Sequence, residues 1–333
     1  FEDPIGDQVL IKLKAAGICG SDVECFEGKS TEGRYDIAPY TPGHEWSGEV
    51  VAVGERVTTV KVGDKVTGDC VLACFRCENC KRGVMPAACL QFREVGFRPD
   101  SPGGMGEYML LEEPYVHPFP QSWSFEEGAL VEPFSVGYYG VWGPGGYVDA
   151  ADDVVIFGSG TIGLTALIVC KTAGAKVIVV EPLANRQEYA RKFGADVIID
   201  PTRVENLAAE VAQHTSTSRG ATLIVEASGN DKAIASLFDV AGLQPRARMI
   251  GHSIGRKVPV EIGKVIWRGI SIYGQGGVSF FLPRTITFMD RIRDRFDFRG
   301  LISHTYSFAD IHEAFEVAVE KKQEALKVML TFG

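Results

Sequence analysis

The sequence lacks three features that would place it at a membrane or on nucleic acid. None of the apolar runs among its 333 residues is long enough to span a bilayer. Basic residues are not in excess, because 34 Lys and Arg stand against 43 Asp and Glu and leave a formal net charge of −9. A negatively charged chain is repelled by phosphate, which makes nucleic acid and anionic membranes poor partners. The first residues show no signal-peptide pattern either, so we expect a cytoplasmic protein.

Internal repeats and low-complexity tracts are also missing, and the chain is long enough for two globular domains. It contains eight cysteines, four of them between Cys74 and Cys89. Without a secretory signal, closely spaced cysteines favour a metal site in a reducing compartment over disulfides.

The most informative stretch is a glycine-rich turn between an apolar run, 154–157, and a helical pattern. The run is typical of a buried parallel strand. In such a turn the first glycine permits the tight bend, the second lets the backbone approach a pyrophosphate, and the third lets the helix pack closely on the strand. Free N–H groups at the helix N-terminus favour phosphate binding. The turn consists of Gly158, Ser159, Gly160, Thr161, Ile162 and Gly163.

An acidic residue follows the turn at the distance expected for a dinucleotide site. Glu181 lies 18 residues after Gly163, where a carboxylate can accept hydrogen bonds from the hydroxyls of an adenosine ribose. Strands and helices alternate throughout this region, which predicts a doubly wound parallel sheet. The six predicted strands are 154–157, 176–180, 197–199, 223–226, 247–250 and 271–274.

The residues before this sheet indicate a β-rich domain that resembles a partly open barrel. Its predicted strands include 8–16, 47–53 and two fragments within 60–66. Four thiolates in this domain have the spacing with which a chain wraps a tetrahedral zinc ion, and because they leave no position for water this zinc would be structural. These ligands are Cys74, Cys77, Cys80 and Cys89.

Four further residues are candidate ligands of a second, catalytic zinc. Cys19, His44 and Glu45 each lie at a turn beside a predicted strand, and Glu132 lies between an apolar segment and a proline. Thiolate, imidazole and carboxylate together suit an open zinc site, which can bind an alcohol oxygen and lower its pKa. Taken singly, each of these residue types more often has a structural role than a metal-binding one. The interpretation depends on their occurrence together with the cysteine cluster and the dinucleotide turn.

Over essentially its whole length the sequence resembles the zinc-containing medium-chain alcohol dehydrogenases. The matching motifs are AAGICGSD (15–22), GHEWSGEVVAVG (43–54), VKVGDKV (60–66), the four-cysteine segment, GSGTIG (158–163) and ALKVML (325–330). EPFSVG at 132–137 looks most like the sorbitol and polyol dehydrogenase branch, where a glutamate replaces a cysteine ligand. The resemblance implies an α/β protein with a GroES-like catalytic domain (1–133 with 280–333) and an inserted Rossmann NAD-binding domain (134–279), with the cleft at their junction.

The resemblance also implies roles for individual residues. Ser21 would contact the reacting hydroxyl and begin the proton path. Glu181 and Arg186 would hold the adenosine ribose, and an acid at this position favours NAD over NADP. The implied ligands of the catalytic zinc are Cys19, His44, Glu45 and, directly or through water, Glu132.

The sequence departs from this family near the expected substrate. Glu24 stands where the family usually has a histidine that ends the proton relay, which makes it a candidate for that task. Cys25 stands where polyol enzymes often have tyrosine, and Ser279 and Phe280 stand where they often have an arginine and an aromatic residue. We therefore expect these three residues in the substrate pocket. The Cys80–Cys89 spacing is also one residue longer than usual.

These observations predict an NAD-dependent oxidoreductase with one catalytic and one structural zinc per chain. It would transfer hydride between NAD and a secondary alcohol of polyol, cyclitol or sugar-like type. A threonine or amino-alcohol dehydrogenase is an alternative, because those enzymes share the GHE motif and a stretch similar to KVIWRG (264–269). A non-catalytic, crystallin-like or regulatory NAD-binding protein is an alternative of another class, which loss of zinc ligands would mark. By analogy with the family we expect a small alcohol or ketone as the partner and a homodimer or homotetramer.

Overall fold

A computed structural model describes residues 3–29, 39–83, 85–143, 145–251, 257–276, 280–320 and 324–333. The chain divides into two compact units, one formed by 1–135 with 277–333 and the other by 136–276. No helix of the described ranges is both long and apolar enough to cross a bilayer.

Strands and short helices alternate along the chain. The strands are β1 (Gln8–Ile18), β2 (Glu45–Val53), β3 (Lys65–Gly68), β4 (Val71–Leu72), β5 (Arg93–Glu94), β6 (Tyr108–Glu112), β7 (Val116–Pro118), β8 (Asp153–Phe157), β9 (Lys176–Val180), β10 (Val197–Ile199), β11 (Ala221–Glu226), β12 (Ala241–Met249), β13 (Ser271–Gly274), β14 (Ile302–Ser307) and β15 (Lys327–Thr331). The α-helices are α1 (Gly20–Phe26), α2 (Glu78–Lys81), α3 (Phe125–Ala129), α4 (Val131–Trp142), α5 (Thr161–Thr172), α6 (Ala184–Lys192), α7 (Leu207–Gln213), α8 (Asp231–Val240), α9 (Ile262–Arg268), α10 (Leu282–Ile292) and α11 (Ile311–Glu320).

The first unit is built on a sheet in which both ends of the chain meet. Its strands run in the order β14-β15-β1-β2-β3-β7, and β6 also pairs with β1. Strand β1 alternates between half-buried and buried residues, so Val9, Ile11 and Leu13 enter the core while their neighbours face outward. The C-terminal β15 pairs antiparallel with β1, with Ile18 opposite Val328. This pairing brings the end of the chain to the residues that follow β1.

One predicted strand fragment of this unit is wrong. Residues 60–64 form a turn, and the strand begins only at Lys65. Gly63 has a φ of 89°, and the Lys61 N–H donates to the Asp64 carboxylate at 3.0 Å. Because the backbone N–H is bonded to a side chain inside the turn, it does not join a ladder.

The second unit is a six-stranded parallel sheet in the order β10-β9-β8-β11-β12-β13. All five residues of the central strand β8 are buried, as in a strand covered on both faces. The predicted doubly wound sheet is therefore confirmed. The sequence pattern did not predict α9, a helix with no buried residue.

Candidate active site

Cys19 lies where the first long strand becomes a helix. It follows β1 and is the N-cap of α1, with the extended backbone that this position requires. Its own N–H donates to the Asp22 carboxylate at 2.9 Å, so the start of the helix is closed by a local hydrogen bond. The thiol is thereby held on a rigid element and not on a loose turn.

The pairing of β2 with β1 places His44 and Glu45 beside Cys19. Glu45 is the first residue of β2 and lies opposite Gly17 of β1, two residues before Cys19. A Cβ on Gly17 would come within 2.2 Å of a Glu45 carboxylate oxygen, so only glycine allows this close approach. His44 is buried, and its ring lies against Phe97 with centroids 5.1 Å apart. One ligand atom each from Cys19, His44 and Glu45 lies within 4.8 Å of the others.

The carboxylate of Glu45 is engaged by a buried lysine. Lys327, at the start of β15, donates from Nζ to the two Glu45 oxygens at 2.7 and 2.6 Å and to the Ile18 carbonyl at 3.0 Å. Both side chains are at most 5% exposed. The pair is a buried ion pair with an additional hydrogen bond, a geometry in which the loss of one partner strands the other charge.

A second ligand set shares His44 with the first. Glu132 lies in the first turn of α4, and Cys70 follows β3. Both are buried, and one ligand atom each from His44, Cys70 and Glu132 lies within 4.8 Å of the others. The other three predicted ligands therefore lie near His44, but Cys19 and Glu132 belong to different sets.

Burial and neighbouring charges shift the pKa values of several ionisable groups in the site. Burial raises the pKa of the Glu132 carboxyl to about 7, and burial also raises the pKa values of Asp22 and Cys70. Burial alone would lower the pKa of the His44 imidazole, but the nearby negative charges of Cys19 and Asp22 outweigh this and hold that pKa well above its usual range. A divalent cation would take the place of these protons and favour ionised thiolate and carboxylate with a neutral imidazole.

The donor set fits a zinc ion. His44 Nδ1 and Asp22 Oδ1 are buried and have no hydrogen-bond partner, so the site contains polar atoms whose need is unmet within the described protein. Zinc with bonds of about 2.0–2.3 Å holds its ligand atoms about 3.3–3.8 Å apart. Either set needs only small side-chain movements to close on an ion of this size.

The residues expected to carry the proton lie on α1. Ser21 is half-buried in its first turn, and Glu24 is exposed farther along. Cys25 lines a cavity of about 270 Å³ within this unit, together with Asp22, Tyr40 and α11. Burial raises the pKa of the Cys25 thiol.

Of the two residues predicted for the far side of the substrate pocket, Ser279 lies outside the described residues. Phe280 has a φ of 66° and donates its N–H to the buried Asp69 carboxylate at 3.2 Å. Asp69 also contacts His117 Nε2 at 2.8 Å, and the Phe280 ring lies 5.1 Å from that of Phe75. The left-handed backbone of Phe280 is therefore held by a hydrogen bond and by ring packing.

The four-cysteine segment forms a compact thiol cluster. The sulfurs of Cys77 and Cys80 are 3.5 Å apart, and those of Cys77 and Cys89 are 3.9 Å apart. Backbone N–H groups donate to the sulfurs of Cys74 and Cys89 at 3.2–3.3 Å. Hydrogen bonds from the backbone lower the pKa of Cys77 to about 6. All four sulfurs lie within 4.8 Å of one another, so the longer spacing before Cys89 does not keep it from the cluster.

The glycine turn of the second unit has the close contacts that its motif predicts. Gly158 ends β8 with a φ of 86°, and a Cβ on Gly163 would lie 1.9 Å from the Gly158 carbonyl oxygen. A Cβ on Gly160 would meet only Arg186 Nη1, at 3.9 Å, so space remains above this residue. Thr161 and Ile162 open α5 and are half-buried.

Glu181 is buried directly after β9 and is oriented by the turn itself. It accepts hydrogen bonds from the Ser159 N–H at 2.8 Å and from the Leu183 N–H at 3.0 Å. The Ser159 hydroxyl donates to the Arg186 carbonyl at 3.1 Å, which ties this segment to the turn. Glycine turn, acid and arginine thus lie together at the carboxyl ends of β8 and β9, the edge where parallel sheets bind dinucleotides.

Comparison with known proteins adds the family. Residues 6–121 match the model of the alcohol dehydrogenase GroES-like domain, and residues 161–292 match that of the zinc-binding dehydrogenase domain. The chain is 33% identical to a sorbitol dehydrogenase of Bacillus subtilis over 97% of its own length and 90% of that protein. The chain belongs to the zinc-containing medium-chain alcohol dehydrogenase family. The predicted family, fold class and reaction class are confirmed, and the dehydrogenase uses zinc and a nicotinamide dinucleotide.

Other similar proteins differ from one another in the substrate or cofactor that their names give. A scyllo-inosose 3-dehydrogenase of Thermotoga maritima is 33% identical over 92% of this chain and 82% of that protein. An L-threonine 3-dehydrogenase of Francisella philomiragia is 28% identical over 98% and 92%. An Escherichia coli oxidoreductase of unknown specificity has a similar structure, with a TM-score of 0.91, 29% identity and coverage of 100% and 94%. A Sinorhizobium meliloti dehydrogenase bound to NADP has a TM-score of 0.88, 25% identity and coverage of 99% and 93%.

Sequence reasoning missed three residues of the metal site. Cys70 lies in the apolar run DCVLAC, where a thiol looks like an ordinary core residue. Asp22 and Lys327 lie within the matching motifs AAGICGSD and ALKVML, but sequence reasoning assigned neither of them a role in the site. A signal for Lys327 was present, because a lysine followed by the apolar run VML is placed in the core and needs a charged partner.

Proposed function

We propose that this dehydrogenase oxidises a secondary alcohol of a polyol or cyclitol with NAD, or reduces the corresponding ketone with NADH. The observation that carries the proposal is the two ligand sets that share the buried His44, in a chain 33% identical to both a sorbitol dehydrogenase and a scyllo-inosose 3-dehydrogenase. Glu132 supports the polyol interpretation, because it places a carboxylate in the second set.

We propose that His44 binds the catalytic zinc whichever set holds the ion, since it is common to both. In the first set Cys19 would supply a thiolate and Glu45 a carboxylate, and in the second set Glu132 would supply the carboxylate. Bound here, zinc would act as a Lewis acid toward an alcohol oxygen. His44, Glu45 and Glu132 are buried, which keeps water from screening their charges.

Ser21 is the proposed first acceptor of the hydroxyl proton. It lies on rigid α1, two residues after Cys19, and is half-buried. From there the proton leaves along α1, where Glu24 is exposed to solvent and can release it. Bound NAD would supply the hydride acceptor, so that alcohol and NAD would yield ketone, NADH and one proton.

We propose NAD as the preferred cofactor, held by the turn from Gly158 to Gly163 with Glu181 and Arg186. The Glu181 carboxylate is fixed by two backbone N–H groups, and a fixed negative charge at the ribose opposes a 2′-phosphate. The relative bound to NADP makes this a necessary test. A higher kcat/KM with NADP than with NAD would refute this assignment.

The four thiolates from Cys74 to Cys89 are the proposed ligands of a structural zinc. Their cluster joins α2 to the 3-10 turn Pro86–Ala88, and the Asn79 side chain donates to the Ala88 carbonyl at 2.7 Å between them. A closed four-thiolate site stabilises a segment with little apolar core. Because all eight cysteines are free thiols in the structure, we propose the reducing cytoplasm as the place of action.

The proposed reaction is tested with a substrate panel and two variants. Purified protein is assayed for NADH formation with polyols, inositols, L-threonine and simple secondary alcohols, and its metal content is measured. We expect turnover with a polyol or inositol and two zinc ions per chain. Cys19→Ser and His44→Ala should reduce both turnover and zinc content, whereas Cys170→Ser in the second unit should change neither. Preference for L-threonine would assign the amino-alcohol alternative, and full zinc with no turnover on any substrate would favour a non-catalytic protein.

A further inference from the structure

Cys70 is a buried thiol that none of the functions above requires. It lies between β3 and β4 and is 8% exposed. Its sulfur is within 4.8 Å of a His44 ring nitrogen and of a Glu132 carboxylate oxygen. All three residues are buried, so a charged ligand set here would be shielded from water.

The two sets around His44 differ in whether a lysine forms an ion pair with their carboxylate. Both oxygens of Glu45 accept hydrogen bonds from Lys327 Nζ, at 2.7 and 2.6 Å. A metal cation on the same carboxylate would share it with a buried ammonium group, and the two positive charges would repel each other. The first set therefore offers Cys19 and His44 as ligands more readily than Glu45.

The second set offers three ligand types that zinc accepts: a thiolate from Cys70, an imidazole from His44 and a carboxylate from Glu132. His44 Nδ1 makes no hydrogen bond to the described residues and lies 3.9 Å from Asp22 Oδ1, a carboxylate placed to orient the ring while the other ring nitrogen binds a metal. These three ligands leave the fourth position of a tetrahedral ion for Cys19 or for the oxygen of an alcohol.

We propose that Cys70 is a ligand of the active-site metal, which it binds together with His44 and Glu132. The inference rests on the proposed zinc-dependent function and adds to it a thiolate outside the motifs of the sequence. The set should favour soft divalent ions such as zinc and cadmium over magnesium or calcium.

Cadmium-113 NMR tests the proposal, because thiolate ligands deshield this nucleus and each site gives its own resonance. The protein is stripped of metal, loaded with two equivalents of ¹¹³Cd and compared with Cys70→Ser, Cys70→Ala, Cys19→Ser and Cys170→Ser. We expect one resonance from the four-thiolate cluster, which also reports folding in every variant, and a second from the site at His44. The second resonance should move upfield or vanish in Cys70→Ser and Cys70→Ala, and Cys170→Ser should leave both resonances in place.

The outcomes separate this inference from the proposed function. If the second resonance of both Cys70 variants equals that of the unmodified protein while Cys19→Ser shifts it, Cys70 is not a ligand and only this inference fails. If the unmodified protein shows no second resonance under saturating cadmium, there is no metal site at His44 and both fail. Zinc retention against a chelator supplies a second measure: the Cys70 variants should release one zinc ion at lower chelator concentration than Cys170→Ser does.

Discussion

At the scale of single residues, Lys327 is a side chain outside the predicted ligands whose removal should alter the metal site, because it holds the Glu45 carboxylate. It is buried with Glu45, and the pair joins the last strand of the chain to the residues beside Cys19. Its hydrogen bonds engage the Glu45 carboxylate and leave that of Glu132 available to a metal. Lys327 therefore acts as a positioning residue.

Replacing Lys327 by Met should lower the free energy of unfolding by about 3–5 kcal/mol, because the Glu45 carboxylate is then buried without a partner. Urea unfolding of the metal-free protein measures this change. Glu45→Gln in the Lys327→Met background should restore much of the stability, since the stranded charge is gone. Equal stability of the single and double variants would contradict the view that the buried charge causes the loss.

A second residue-scale prediction concerns Glu132 and pH. Its carboxyl keeps a proton to about pH 7 in the folded protein, whereas the ordinary value is 4.5. Between these values the unfolded chain binds fewer protons than the folded one, so the free energy of unfolding falls as pH rises. The rise from 4.5 to about 7 corresponds to roughly 3 kcal/mol of lost stability above pH 7.

The metal-free Glu132→Gln variant has no carboxyl at this position, so its free energy of unfolding should not fall with pH for this reason. Its stability advantage over the unmodified protein should grow by roughly 3 kcal/mol between pH 4.5 and pH 8, measured by urea unfolding at each pH. Zinc should reverse the order at pH 8, because the ionised carboxylate is then needed as a ligand. A pH-independent difference between the two proteins would show that the carboxyl titrates normally in the fold.

At the scale of elements, two glycines at the start of α5 have different structural roles: Gly163 packs against the backbone, and Gly160 leaves space open. A Cβ on Gly163 would lie 1.9 Å from the Gly158 carbonyl oxygen, which the backbone can relieve only by moving. Gly160 has an ordinary φ of −69°, and a Cβ added to it would meet no neighbouring atom closer than 3.9 Å. Gly163 is therefore needed for packing, and Gly160 leaves room for a ligand.

Two matched variants test this distinction. Gly163→Ala should destabilise the protein by about 1–3 kcal/mol or more through overpacking and should also weaken NAD binding. Gly160→Ala should leave the melting temperature nearly unchanged and weaken NAD binding alone, because the methyl group occupies the space for the pyrophosphate. Differential scanning calorimetry and NAD titration give the two readouts. If Gly160→Ala binds NAD normally, the pyrophosphate does not approach this residue.

The elements also show how far the sequence could predict the site. The strands of the second unit were predictable because burial on both faces leaves apolar runs, and the glycines because a close backbone contact permits no side chain. The set of Cys19, His44 and Glu45 was predictable from motifs at strand ends. Cys70 was not, because strand pairing across the chain brings it to His44, and a local pattern contains no information on that pairing. For Lys327 the local pattern indicated a buried charge, but only the pairing of β15 with β1 determines that its partner is Glu45.

At the scale of the whole molecule, the second unit has an exposed apolar face on helix α9. Helix α9 has no buried residue, and Ile262, Ile266 and Trp267 on it are 62%, 77% and 88% exposed. Ile272 of the neighbouring β13 is 47% exposed, and β13 is the last strand of its sheet among the residues that the structure describes. An apolar helix beside an open strand edge is a ready surface for a second copy. We propose that homodimers form through this face.

Replacing Trp267 by Glu places a charge in the centre of that face and should convert the dimer to single chains. Light scattering after size exclusion measures the mass over a range of protein concentrations. Val62→Glu is the matched control, because Val62 is 59% exposed on the first unit and lies outside the proposed interface. We expect Val62→Glu to keep the mass of the unmodified protein and Trp267→Glu to halve it, with zinc content unchanged because both zinc sites lie in the first unit. If Trp267→Glu keeps the mass of a dimer, the chains pair through another surface, and the apolar face of α9 has a different partner.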